Sequence, residues 1–124
     1  MSQPKLVQTA TAGAAVGQYL LLQNSSGNVI VATAATQLIV GCSQATSAAS
    51  GETLPMYLGG QVVKLRASAA IAKHARVMAT TDGEIVTFTS GAGVFAVGIA
   101  LEAAAADQDV IEVWFCPSLN AEDA

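Results

Sequence analysis

The feature that most constrains this chain is the spacing of its strand-like runs. Nine of them occur, none longer than seven residues: Gln18 to Gln23, Asn28 to Thr33, Gln37 to Ser43, Thr53 to Leu58, Gln61 to Ala67, Arg76 to Thr80, Glu84 to Thr89, Val94 to Ala100 and Val110 to Phe115. Gly, Asn, Asp and Ser punctuate them, in "NSSGN", "TTDGE" and "SGAG". These residue types accept the positive φ that tight hairpins need. Short strands at intervals of roughly 8–12 residues specify an all-β barrel or sandwich. Pro55 has no amide hydrogen to donate, so its strand is expected to be an edge or to begin there. Gly59 and Gly60 are expected to turn the chain between two strands.

The runs repeat. "GNVIVATAATQLIVGCS" aligns with "GEIVTFTSGAGVFAVGIA". Gly27 matches Gly83 (83 − 27 = 56), and the Val-Gly pair at Val40 matches that at Val97 (97 − 40 = 57). "YLLLQN" falls on "RVMATT", and "QATSAASGETLPMYL" on "LEAAAADQDVIEVWF". A solenoid needs at least about three units, so two copies predict one pseudo-symmetric β domain over 15–117, with repeats at about 15–60 and 72–117. The alanine-rich run Leu101 to Asp107 has helix-forming composition. It occupies the place of "QATSAASG" and is too short for an independent helix. It is therefore read as a loop with at most one helical turn. Residues 1–14 precede the first repeat and read as an extended N-terminal arm. Residues 118–124 read as a flexible tail.

With 124 residues the chain has room for one domain. Hydrophobic residues make up 52% and charged ones 11%, against about 25% charged in ordinary domains. No apolar run approaches the roughly 18 residues of a membrane helix, and the start lacks the pattern of a signal peptide. The expectation is a soluble protein whose low-charge surface is covered by neighbours in an assembly. Net charge is −4, and the five basic residues form no run. Lys64 and Arg66 would share one face of a strand, but one such pair is far from the basic stripe of a nucleic-acid binder.

Catalytic and metal-binding sets are missing from the pattern. Cys42 and Cys116 have no zinc spacing and one histidine, His74, accompanies them. They are expected to be two free, buried thiols of a cytosolic protein, although sequence leaves a disulfide open. A triad needs a well-placed base, and His74 is read as a surface turn residue, opposite Gly17 in the repeat. Glu102, Asp107, Asp109 and Glu112 match no calcium loop and read as a solvated loop. "GAGVFAVG" lacks the helix and the Lys-Ser/Thr of a phosphate loop. The few aromatics offer no stacking platform for bases. No catalytic residue, metal ligand or cofactor is assigned, and a structural or packing protein is expected rather than an enzyme.

"VFAVGIALEAAAADQDVIEVWF" resembles the small capsid cement, or head decoration, proteins of tailed bacteriophages. The resemblance rests on Val97 to Leu101, Glu102, Ala103 to Ala106, Asp107 and the final strand Val110 to Phe115. "SAAIAKHARVMATTDGEIV" is similar as well, with His74 and Ala75 where the family often has Gly-Asp. "QLIVGCSQATSAASGETLPMYLGG" resembles the corresponding part of the lambda-type head decoration protein. The resemblance covers roughly Ala15 to Phe115. It implies a small β-tulip-like domain on the outer surface of an icosahedral head, in the virion. It implies a homo-oligomer, namely a trimer, bound to the major capsid protein, and stabilisation of the expanded capsid against packaged DNA. No nucleic-acid or membrane partner is implied. Many weak contacts would suffice, because multivalent attachment multiplies affinity. The N-terminal arm is then a candidate for strand addition to a capsid subunit, through Gln3, Pro4, Lys5, Leu6, Val7 and Gln8, the alternative being a frayed terminus. Two other classes stay open: a tail or fibre β domain, distinguished by low copy number, and a small ligand-binding module or enzyme, distinguished by a polar pocket.

Overall fold

The structure is a computed structural model and describes residues 6–44 and 48–118. It contains ten strands: β1 (Val7–Thr11), β2 (Leu21–Ser25), β3 (Asn28–Val31), β4 (Ile39–Ser43), β5 (Thr53–Tyr57), β6 (Gln61–Arg66), β7 (Arg76–Ala79), β8 (Ile85–Thr87), β9 (Ala96–Ala100) and β10 (Val110–Phe115). They form two five-stranded antiparallel sheets, ordered β1-β5-β4-β2-β3 and β6-β10-β9-β7-β8. Among the described residues there is no helix. The all-β expectation holds, and all nine expected strands are present.

The two sheets are the same sheet built twice. Each strand of the first has its counterpart five strands later, in the same order and pairing. Each sheet also curls, so that its first strand reaches its last through a parallel bridge: Ala12 to Val29 in one, Ala67 to Ile85 in the other. A second pair of bridges, Val16 to Ala48 and Ile71 to Ala104, closes the other side. The Val-Gly anchors of the repeat are β-bulges. Leu22 pairs with Gly41 and Gln23 with Ile39, skipping Val40. Val77 pairs with Gly98 and Met78 with Ala96, skipping Val97. A bulge adds twist and bends the strand, which helps so short a sheet to curl.

The repeat is longer than its sequence alignment. Each unit begins one strand earlier, with β1 and β6. The register also differs at its start: Leu22 corresponds to Val77 (77 − 22 = 55), because both lie beside the bulge. His74 therefore corresponds to Tyr19 rather than Gly17 (74 − 19 = 55), and both adopt positive φ, at 70° and 64°. That turn delays β2, which starts at Leu21 rather than Gln18. Gly59 and Gly60 connect the two units and make no hairpin within one sheet.

Residues Val7–Thr11, which sequence places in an extended arm, are extended but pair with β5 along their whole length. The run "VQTAT" buries no large side chain, so it lacks the apolar alternation that marks the other strands. Pro55 consequently lies on an interior strand rather than an edge. Leu58 N donates to Leu6 O and Ala12 N to Glu52 O, so even-numbered residues of β5 face β1. The Pro55 nitrogen points the other way, where the ladder to β4 has already ended at Ser43 and Met56. Leu101 to Asp107 is a loop without a helical turn. Ala104 N and O bond Ile71, and Asp109 Oδ2 accepts from Ala105 N and Ala106 N. These contacts override the run's helical propensity.

Two apolar cores follow from the two units. The smaller fills the first, with Ala12, Val16, Leu22, Val29, Ala48, Leu54 and Met56. The counterparts of all seven lie in the larger core, which fills the second unit. That core also takes in Leu21, Ala32, Ile39 and Cys42 from the first unit. These four come from the opposite, outer face of the first sheet. The outer face of unit one thus closes the open mouth of unit two. Gln44 fastens the joint: Lys64 N donates to Gln44 Oε1 at 2.7 Å, and Gln44 Nε2 donates to Lys64 O.

Candidate functional site

The sequence-derived attachment residues fall in two places. Gln3, Pro4 and Lys5 lie outside the described residues. Leu6, Val7 and Gln8 lead into and begin β1. Gln61 fixes this start: its Nε2 donates to Leu6 O at 2.8 Å and to Leu58 O at 2.7 Å. Because the even-numbered residues of β1 bond β5, Val7 and Thr9 direct their amides and carbonyls to the free edge of the sheet. Such an edge can accept another strand.

The exposed apolar side chains are grouped. Val62, Trp114 and Ile99 stand opposite one another on β6, β10 and β9, and Arg76 on β7 continues the row. Trp114 is 50% exposed. The Arg76 guanidinium lies over the Phe88 ring, 4.2 Å from its centroid, a cation–π contact that extends the patch. A second group rims the mouth of the first unit. Leu38 is 42% exposed and lines an open groove of about 420 Å³ with Ile39, Val40, Gly59, Gly60, Cys116 and Pro117. Sequence reasoning missed both groups. The signal was present in "VIEVWF": with Ile111, Val113 and Phe115 inward, Trp114 must point out.

The remaining candidates are dispersed. His74 is an exposed turn residue whose amide donates to Ala100 O. Lys64 and Arg66 do share the outer face of β6, opposite Glu112 and Val110. Glu102 Oε1 accepts from Glu112 N at 2.7 Å, so this loop acid fastens the backbone of β10. Among the described residues no three His, Cys, Asp or Glu side chains are placed to hold a metal ion.

The cysteines are both free, but only Cys42 is buried; Cys116 is exposed. Cys116 follows the last residue of β10, beyond the shared core. Burial pushes the Cys42 thiol up to about 12, from an ordinary 9.0. A thiol raised in the folded state stabilises the fold below its unfolded value. That contribution is lost as pH rises from 9 towards 12. At pH 8 an exposed-thiol reagent should titrate Cys116 alone in the native protein, and both cysteines in guanidinium. Rapid native labelling of Cys42 would contradict its placement.

A duplicated, curled β unit with apolar outer patches defines a β module of two matched halves. The family model for phage cement proteins matches residues 2–115, and the chain belongs to that family. It is a structural protein of the phage particle, associated with its capsid. The fold is similar to a crystal structure described as the head fiber gp8.5 N base in bacteriophage phi29, with a TM-score of 0.71 and 19% identity, covering 90% of this chain and 94% of that one. No curated protein sequence matches the chain.

Proposed function

We propose that this protein binds the outer surface of an icosahedral phage head as a homo-oligomer, namely a trimer, and holds the expanded capsid against the pressure of packaged DNA. The observation that carries the reading is the family match over nearly the whole chain. The major capsid protein is the partner, and the role needs no catalysis, cofactor, nucleic acid or membrane. Attachment runs through the N-terminal segment from Gln3 to Gln8, whose later residues lie on the free edge of β1. Strand addition there supplies main-chain hydrogen bonds at each site, and several sites per oligomer supply the avidity.

The test uses expanded heads assembled without the protein. Adding it should raise the temperature at which the heads break, and it should co-sediment with them. Unchanged disruption together with no co-sedimentation would refute the reading. Removal of Met1 to Lys5 should abolish co-sedimentation while leaving the circular dichroism spectrum intact. Removal through Thr11 should also destabilise the domain, because it strips β1 from β5. Full binding by the shorter truncation would exclude its five missing residues from attachment.

A further inference from the structure

We propose that copies of this chain associate head to tail, with the outer face of one copy's second unit closing the mouth of the next copy's first unit. The contact between copies would repeat the contact already made within the chain. This rests on the homo-oligomer reading above.

The argument starts from two equivalent rows of side chains. In the first sheet, Val7, Tyr57, Cys42 and Leu21 stand opposite one another across β1, β5, β4 and β2. In the second sheet the same positions are Val62, Trp114, Ile99 and Arg76. Cys42 and Leu21 are fully buried and Tyr57 packs beside them, because they close the second unit. Among the described residues no unit covers the second row. That row nonetheless keeps Val62, Ile99 and a half-exposed Trp114.

The complementary surface is the mouth of the first unit. In the second unit the mouth is buried: Val63, Ala79, Val97 and Phe115 lie under unit one. Their counterparts Gln8, Asn24, Val40 and Leu58 are exposed or half-exposed. The turn glycines show the same contrast. A side chain on Gly83 would meet Val31 Cγ1 at 2.4 Å, and Leu21 N donates to Gly83 O. A side chain on Gly27 would meet nothing within 4 Å. Likewise Phe95 N donates to Ala35 O of unit one, while its counterpart Leu38 (95 − 38 = 57) is exposed and lines the apolar groove.

Among the described residues one mouth is thus left open, and the face formed by Val62, Trp114 and Ile99 is left uncovered. A second copy supplies the missing half of each. The contact is heterologous, so it builds a ring if the rotation closes and a filament if it does not. Leu101 stands where Gln44 stands in unit one (101 − 44 = 57), so the side-chain clamp on Lys64 has no counterpart between copies. Association then depends on burying the apolar row.

The test is the mass of the purified full chain by light scattering after gel filtration, at one fixed concentration. Wild type should run as a multiple of its 12.5 kDa. Trp114→Glu spoils only the closing face and Leu38→Glu only the mouth. Each should be a folded monomer alone. Their equimolar mixture should yield a two-chain species, since one intact face then meets one intact mouth. Val62→Glu provides a second closing-face variant should Trp114→Glu misfold. Wild-type mass in folded variants, or a mixture that stays monomeric, would overturn the head-to-tail contact and leave the homo-oligomer reading standing. A monomeric wild type would overturn both.

Discussion

Replacing Phe115 by alanine should lower unfolding stability by about 3–5 kcal/mol, the range for truncating a buried aromatic. Phe115 is fully buried and is the largest side chain in that state. It lies at the end of β10, in the core shared by both units. Its loss opens a cavity where β6, β9 and β10 meet and where the first unit closes the second. The strands around it are fixed by ladders on both sides of β10, which restricts collapse into the space. A domain of this kind is stable by only ~5–15 kcal/mol in total, so the variant loses roughly a fifth or more of its margin. The measurement is the guanidinium midpoint at fixed protein concentration, since association shifts apparent stability. The slope of the transition should be unchanged. Glu112→Ala, an exposed neighbour on the same strand, should stay within ~0.5 kcal/mol. Equal effects from the two variants would contradict the assigned facing of β10.

Gly98→Ala should be the most damaging single-methyl change in the chain, and clearly worse than the same change at its counterpart Gly41. A Cβ on Gly98 would lie 2.1 Å from Trp114 O, a backbone atom of the adjacent strand. Only separation of β9 from β10 relieves that, at the expense of the ladder between them. A Cβ on Gly41 meets Met56 Cγ at 2.3 Å and Sδ at 2.7 Å first. Met56 is an unbranched side chain that can turn away, although Tyr57 O at 2.9 Å still crowds the site. Overpacking of this sort costs ~1–3 kcal/mol. Gly98→Ala belongs at or above the top of that range, and Gly41→Ala within it. Thermal melts of the two variants decide the order. A reversed order would show that the second bulge can rearrange more freely than the first.

These two predictions also mark what the sequence made legible. The Val-Gly pairs stood out as anchors of the repeat, and they prove to be the bulges. Their physical cause was out of reach, because a glycine demanded by a neighbouring strand looks the same in sequence as one demanded by a turn. The nine apolar strands were legible from their alternation. β1 was not, since "VQTAT" lies on an exposed edge and carries no burial pattern. Missing β1 shortened each repeat by a strand, which put Gly59 and Gly60 inside a unit rather than between units. The low-complexity stretch around Tyr19 and His74 also aligned two residues off, because the register is set by the bulges.

The surfaces were harder to read than the fold. Leu21 and Cys42 look like ordinary core residues, and nothing local distinguishes them from Leu22. Only the pairing shows that they point out of the first unit into the second. Trp114 lies on the same face one unit later, and the alternation of "VIEVWF" points it outward without telling whether a neighbour covers it. The placement of Cys116 failed although its signal was present: it follows six residues of clean alternation that end inward at Phe115, and the next position points out.

The proposed function is that of a coat on the phage head. The most direct measurement is its copy number relative to the major capsid protein, by quantitative mass spectrometry of purified particles. A head-wide cement role predicts a ratio approaching one chain per capsid subunit. A few copies per particle, or absence from particles, would contradict it.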